Sequence, residues 1–312
     1  MYLYHYGLRE LPFTLTPNTD FYCDLAGHHA ALEVLLTALK TGEGFIKVVG
    51  EVGTGKTLLC RKVLNEIPDY YVTVYIPNPY LSPHELREAI ASELQIDTSV
   101  ATSQQQMTKI IQQKLMEINK LGRSVAIILD EAQALPSESL EALRLFSNLE
   151  TESRKLVHLV LFGQPELDEK LAAKEHRQLR QRITFSYNLD AMNETEIATY
   201  ISHRLQVAGY KGPAIFSASV VRAIYKSSRG VPRLVNVLCH KILLLCYGEG
   251  THQVQLRHVR AAAADTEDAT KLKPLNWLWP VIAAVVIGTA ALLFVPKLGA
   301  GVMNAVQQWW SL

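Results

Sequence analysis

Apolar residues fall in two rhythms along the chain. Up to about residue 190, short runs dense in Val, Ile and Leu alternate with longer stretches whose apolar positions recur at helical spacing. Strands alternating with helices in this way predict an α/β domain built on a mostly parallel sheet. The strand runs are FIKVV (45–49), YYVTVYI (70–76), SVAIILD (124–130), LVHLVLF (156–162) and ITFSYNL (183–189), enough for one doubly wound sheet over residues 1–190. From 191 to 260 the strand rhythm stops. Asn193 followed three residues later by Glu196 reads as an N-cap and its capping-box partner, opening a helix over ETEIATYISHRLQVAG. A second helix is expected after Ser217, and a third from Pro232 through VNVLCHKILLLCYG with Gly248 or Gly250 as its stop, which makes a small helical domain.

After a linker placed at 261–275 the pattern changes again. No charged residue occurs from Pro274 to Pro296, and Trp277–Val295 supplies 19 nearly all-apolar residues. At about 1.5 Å per residue that run reaches roughly 28 Å, close to the roughly 30 Å hydrocarbon thickness of a bilayer. A single transmembrane helix over 276–296 is therefore expected, with Trp277 and Trp279 at headgroup level and Pro280 in the first turns, where a helix tolerates it. Arg257, Arg260, Lys271 and Lys273 precede the span and only Lys297 follows it, so the positive-inside bias puts the N-terminal side in the cytosol. Residues 297–312 would form a short distal tail on the far membrane surface. The opening MYLYHYGLRELPF has no basic region ahead of an apolar one, so no cleavable signal peptide is expected.

Composition narrows the picture in two ways. Lys plus Arg number 31 against 30 for Asp plus Glu, so overall charge gives no argument for a nucleic-acid partner. The four cysteines, Cys23, Cys60, Cys239 and Cys246, form no CxxC pair or metal-ligand spacing and read as small buried hydrophobes in a reducing compartment. His28 and His29 likewise lack acidic or cysteine partners at metal spacing, and a surface or packing role is expected for them.

The chemistry begins at GEVGTGKT, residues 50–57, which matches G-x-x-x-x-G-K-[ST] between a predicted strand and a predicted helix. Gly50, Gly53 and Gly55 let the backbone wrap so that its N–H groups point at phosphates, at the positive end of the following helix. The nucleotide-binding loop is thus expected to comprise Gly50, Glu51, Val52, Gly53, Thr54, Gly55, Lys56, Thr57 and Leu58, with Lys56 on the β and γ phosphates and Thr57 on Mg²⁺. AIILDE puts Asp130 and Glu131 at the C-terminal end of a buried strand, Asp130 to hold Mg²⁺ and Glu131 to polarise the attacking water. A guanine signature N-K-x-D is lacking, since NKLG at 119–122 ends in Gly122, so ATP is the expected substrate. In LFGQPEL, Gln164 ends the next strand and would sense the γ phosphate if that strand lies between the other two. LRQRITF offers Arg180 and Arg182 for neutralising transition-state charge on a neighbouring subunit's nucleotide, which would make oligomerisation a condition of fast hydrolysis. In RGVPRLVN, Arg233 sits in the first turn of a helix, where a cation is disfavoured unless an anion such as phosphate offsets it.

Together these residues resemble the AAA+ ATPases of the ExeA/GspA type, the membrane-associated ATPases of type II secretion and related pilus systems. The likeness covers roughly residues 1–260 and rests on MYLYHYGLRELPFTLTPNTDFY, GEGFIKVVGEVGTGKTLLCR, ILDEAQAL, LFGQPELDEKL, LRQRITFSYNL and GVPRLVNVLCHKILL. It implies a P-loop AAA+ core with a helical lid, a nucleotide-driven homo-oligomer and a place in the bacterial inner membrane beside pilus (MSHA or type IV) or secretion assembly proteins. It assigns nucleotide roles to Lys56, Thr57, Asp130 and Glu131, sensor roles to Gln164 and Arg233, and the finger to Arg182 with Arg180 in reserve. ExeA-like proteins carry a sizeable peptidoglycan-binding region beyond the membrane, whereas only residues 297–312 follow the expected span here, so cell-wall binding would fall to a partner protein. A DNA-associated AAA+ ATPase of the transposition-regulator type is the alternative, and it predicts a basic face that the charge balance does not favour. A non-hydrolysing switch would be expected to lack Glu131 or the arginines, and all are present.

Overall fold

The structure is a computed structural model that describes residues 2–98, 103–150, 155–272, 282–287 and 289. It divides into two units, 1–270 and 271–312.

In the first unit β1 (Phe45–Gly50), β2 (Tyr71–Ile76), β3 (Ser124–Leu129), β4 (Val157–Gly163) and β5 (Phe185–Leu189) form one sheet in the order β2-β3-β4-β1-β5. Every pair is parallel. A parallel sheet needs cover on both faces, and the strand pleat supplies an apolar residue to each. Val125, Ile127 and Leu129 of β3 point to one core, which also takes Val74, Val157, Leu159 and Leu161. Ala126 and Ile128 point to the other, with Ile46, Val48, Val160 and Phe162.

The first face is covered by α4 (Pro83–Glu93), α5 (Gln104–Lys120), α6 (Ser137–Phe146), α7 (Pro165–Ala172) and the short α8 (Arg177–Arg180), through residues such as Leu86, Ile111, Leu143, Leu167 and Leu179. The second is covered by α2 (Ala26–Lys40) and α3 (Lys56–Glu66), through Leu35, Leu39, Leu59 and Val63. A four-residue helix, α1 (Leu3–Tyr6), precedes them.

The helical part contains α9 (Glu194–Val207), α10 (Ala218–Ser228), α11 (Pro232–Gly248) and α12 (Leu256–Ala264). Asn193 Oδ1 accepts from the Glu196 N–H at 2.9 Å and Glu196 Oε2 accepts from the Asn193 N–H at 2.9 Å, so both halves of the capping box form. The helical part extends past residue 260, where the sequence pattern predicts a linker. The AAAA run is helical to Ala264 because Ala262 and Ala263 are buried, and Lys241 Nζ then holds the Asp265 carbonyl at 2.7 Å. The N-terminus packs on the same helices: Tyr2 is buried with its hydroxyl 2.9 Å from His240 Nδ1, and the Arg9 N–H donates to the Ala208 carbonyl at 2.8 Å.

All four cysteines are free and buried. In the second unit residues 282–287 are helical and Ile282, Val285, Val286 and Ile287 are exposed. Among the described residues no helix is long and apolar enough to cross a membrane. The expected span at 276–296 and the tail at 297–312 lie, apart from 282–287 and 289, outside the described residues.

Candidate nucleotide-binding site

The sheet order explains how the chemical residues meet. β4 lies between β3 and β1, with Leu129 beside Leu161 and Val49 beside Gly163. The residues that follow these three strands therefore emerge side by side at the C-terminal edge, where open α/β sheets place their ligands. They are Asp130 and Glu131 after β3, Gln164 after β4 and the P-loop leaving β1.

The P-loop has the conformation its glycines permit. Gly53 and Gly55 take φ values of +82° and +102°. At Gly55 the space is closed as well, since an added Cβ would lie 2.9 Å from His28 Nε2. Lys56 is only 5% exposed, with Nζ donating to the Gly50 carbonyl at 2.7 Å and the Glu51 carbonyl at 2.8 Å, so its ammonium sits within the curl of the loop. Burial lowers its pKa, opposed by the charges of Glu131 and Asp130.

Asp130, 2% exposed, accepts hydrogen bonds from the Thr57 hydroxyl and the Glu131 N–H, the latter at 2.9 Å. Burial raises its pKa, and these hydrogen bonds only partly offset that. Among the described residues no Lys or Arg forms an ion pair with it. A buried carboxylate beside a hydroxyl, without a paired cation, suits a small divalent cation of the Mg²⁺ class, which Thr57 and Asp130 would hold. Such a cation would supply positive charge next to the phosphates.

Glu131 adopts φ +52°, ψ +38°, an uncommon conformation for a residue with a side chain. Its Oε2 accepts from Gln164 Nε2 at 2.9 Å and from Gln133 Nε2 at 2.6 Å. Burial favours the neutral acid, but those two amides and the Lys56 charge outweigh it and hold the carboxyl below its usual range. An ionised carboxylate at this position can take a proton from water.

A cavity of about 320 Å³ lies over these groups. One end is lined by Gly53–Leu58, Glu131 and Arg233, and the other by the 14–18 segment, Tyr22, Leu25, Pro232 and Asn236. Arg233, on the first turn of α11, reaches the P-loop closely: its N–H donates to the Gly53 carbonyl at 3.2 Å, and a Cβ on Gly53 would lie 2.7 Å from Arg233 Cβ. The side chains of Glu51 and Val52 are exposed, so Glu51 serves the loop through its carbonyl. Neither Arg180 nor Arg182 lines the cavity of its own chain. Arg180 Nη1 donates to the Ala172 carbonyl at 3.2 Å, and Arg182 Nη1 to the Ser147 carbonyl and hydroxyl, each at 3.2 Å.

Three groups at the site escaped the sequence. His28, expected to pack or lie at the surface, is buried against the loop with Nε2 3.0 Å from the Thr54 carbonyl and lines the cavity. Burial lowers its pKa. Arg204 of α9 is buried beside the cavity: Nη1 donates to the Tyr200 hydroxyl at 2.8 Å, Nε to the Pro12 carbonyl, and the guanidinium carbon lies 4.8 Å from the Phe21 ring centroid. Its only outward signal was a cation in the otherwise amphipathic run TYISHRLQV. Gln133 had none, because its approach to Glu131 depends on the turn between them.

Residues 39–171 match the family described as AAA domain. General secretion pathway protein A of Aeromonas hydrophila is 36% identical over 263 residues, 84% of this chain and 48% of that protein. The chain thus spans about half the length of that curated relative. Among solved structures, Cdc6p of Pyrobaculum aerophilum is similar with a TM-score of 0.61 at 17% identity, covering 80% of this chain and 71% of that one. The Aeropyrum pernix ORC2 protein, solved with ADPNP and ADP, gives 0.59 at 16%, covering 82% and 73%. The RuvB Holliday junction branch migration motor of Thermotoga maritima gives 0.54 at 16%, also covering 82% and 73%. At these identities the likeness shows the fold.

Proposed function

Over the stretch it shares with General secretion pathway protein A this chain belongs to the ExeA/GspA type of AAA+ proteins, and from that premise we propose that it hydrolyses ATP at the inner membrane to support assembly of an MSHA-type or other type IV pilus, or of a type II secretion complex. The observation that carries the hydrolytic part is the Glu131 carboxylate. It is held by Gln164 and Gln133 and lines the same cavity as Lys56 and Thr57. A nucleotide-holding site alone has no need of an oriented carboxylate at that edge.

In this reading ATP is the substrate, and Thr57 and Asp130 would hold its Mg²⁺. The working form in this reading is a homo-oligomer in which Arg182, with Arg180 in reserve, would exchange its contact with Ser147 for a neighbour's nucleotide; its place outside the cavity of its own chain supports this. The span at 276–296 would hold the chain in the membrane as a single pass with the ATPase part in the cytoplasm. Pilus or secretion proteins, one of them cell-wall-binding, would be its partners.

The test is the ATPase rate per subunit of the full chain in lipid, measured against protein concentration, with and without double-stranded DNA. A rate that climbs with concentration and ignores DNA is expected. A rate that rises only with DNA would replace this reading with the transposition-regulator type.

A further inference from the structure

We propose that Gln133 is a positioning residue for the hydrolytic step, its side-chain amide holding the Glu131 carboxylate in the orientation from which it acts. The proposal rests on the ATP-hydrolysis reading above. Gln133 lies on a single 3₁₀ turn, Ala132–Ala134, that follows Glu131 directly. The left-handed backbone at Glu131 turns the chain back on itself and brings the Gln133 side chain to the carboxylate two residues before it. Lys170 of α7 fixes the turn from below, with Nζ donating to the carbonyls of Gln133 and Leu135 at 2.7 Å each.

Both ends of the amide are used. Nε2 donates to Glu131 Oε2 at 2.6 Å, while Oε1 accepts from the Gln164 N–H at 3.1 Å. Exchanging the amide's oxygen and nitrogen would set donor against donor at Gln164 and acceptor against acceptor at Glu131, so its orientation is dictated. Gln133 therefore clamps the end of β3 to the end of β4 and ties the carboxylate to that clamp. Gln164 Nε2 donates to the same Glu131 oxygen, and among the described residues no protein donor reaches Oε1. Two donors on one oxygen leave the other to face a water. The competing attractor is Lys56, whose charge acts on Glu131. Without the Gln133 amide the carboxylate can swing toward that ammonium and compromise both residues.

The test separates the two halves of the amide. Gln133→Met keeps the length and removes both hydrogen bonds. Gln133→Glu keeps an acceptor for the Gln164 N–H and replaces the donor to Glu131 with a second carboxylate. Steady-state kcat and KM for ATP, single-turnover rates with protein in excess, ADP Kd and thermal midpoint are measured for the full chain, in the wild-type and Glu131→Gln backgrounds.

Both variants are expected to lower kcat about tenfold or more, with ADP Kd and KM within about twofold. In the Glu131→Gln background Gln133→Met should cost nothing further, because the group it positions is already gone. A wild-type rate in Gln133→Glu, a Kd that rises as far as kcat falls, or an added loss in the Glu131→Gln background would each overturn the proposal. Hydrolysis that Glu131→Gln abolishes but Gln133→Met leaves untouched would sink this proposal alone. No hydrolysis by the unsubstituted chain would sink the ATPase reading and this with it.

Discussion

At one end the cavity is walled by the consecutive residues Gly53–Leu58 joined by Glu131 and Arg233, whereas at the other end it is walled by pieces drawn from across the first unit. There Arg204 binds the carbonyls of Pro12 and Thr14, and Asn236 reaches Thr14, across sequence separations of 190 to 222 residues. The P-loop end is shaped by backbone: its carbonyls hold Lys56 and its glycines make the curve. The far end is shaped by side chains of the helical part gripping an N-terminal segment with little regular structure. The P-loop end is thus determined by local sequence, and the other wall by tertiary packing.

The largest effect should come from breaking the local end. Lys56→Ala removes the ammonium inside the loop. Two charge-assisted hydrogen bonds from the ammonium to the phosphates of the proposed substrate, worth roughly 1.5–3 kcal/mol each, correspond to about a hundredfold or greater loss of ATP affinity. Equilibrium titration with a fluorescent nucleotide checks this, and unchanged affinity would refute the placement of the phosphates.

Breaking the assembled end should give a mixed, smaller effect. Arg204→Met leaves the Pro12 carbonyl and Tyr200 hydroxyl without their donor, costing about 2 kcal/mol of stability and weakening nucleotide binding about tenfold. Denaturant midpoint and nucleotide Kd should shift together. If Kd alone moved, Arg204 would be a ligand contact in its own right.

The smallest effect sharpens the contrast through pH. Burial lowers the pKa of both His28, on the P-loop carbonyl of Thr54, and His158, whose Nδ1 is 2.7 Å from the Glu43 carbonyl. Each is therefore kept neutral in the folded chain. Their contribution to stability is complete above the unfolded value near 6.5 and is lost as pH falls through the lower folded values. The thermal midpoint should drop between pH 7 and pH 5. His158→Phe should flatten that drop without changing nucleotide affinity at pH 7, whereas an unaltered slope would show that other groups govern acid sensitivity.

The same contrast explains what could be read from the sequence. β1 to β4 were legible because each is a dense apolar run, β3 and β4 being buried on both faces, whereas the edge strand β5 is mostly exposed and carries Ser186 and Asn188. The capping box at Asn193 and the start of α11 at Pro232 were legible because caps are local. Lys56, Thr57, Asp130 and Glu131 lie within short motifs, and Gln164 needed only the strand order. Arg204, Tyr200 and Asn236 were not legible, since their partners are fixed by how the N-terminal segment crosses the helices. Gln133 was hidden for a subtler reason. It stands two residues from Glu131, but no periodicity brings neighbours at that spacing together. Only the left-handed turn does.

The grip of Arg204 on Pro12 and Phe21 has a mechanical side. The segment it holds lines the cavity while being bonded to α9, so that wall and that helix are joined through one guanidinium. Any rotation of α9 against the sheet would therefore either carry the 14–18 wall with it or break the Arg204 bonds to the Pro12 and Thr14 carbonyls.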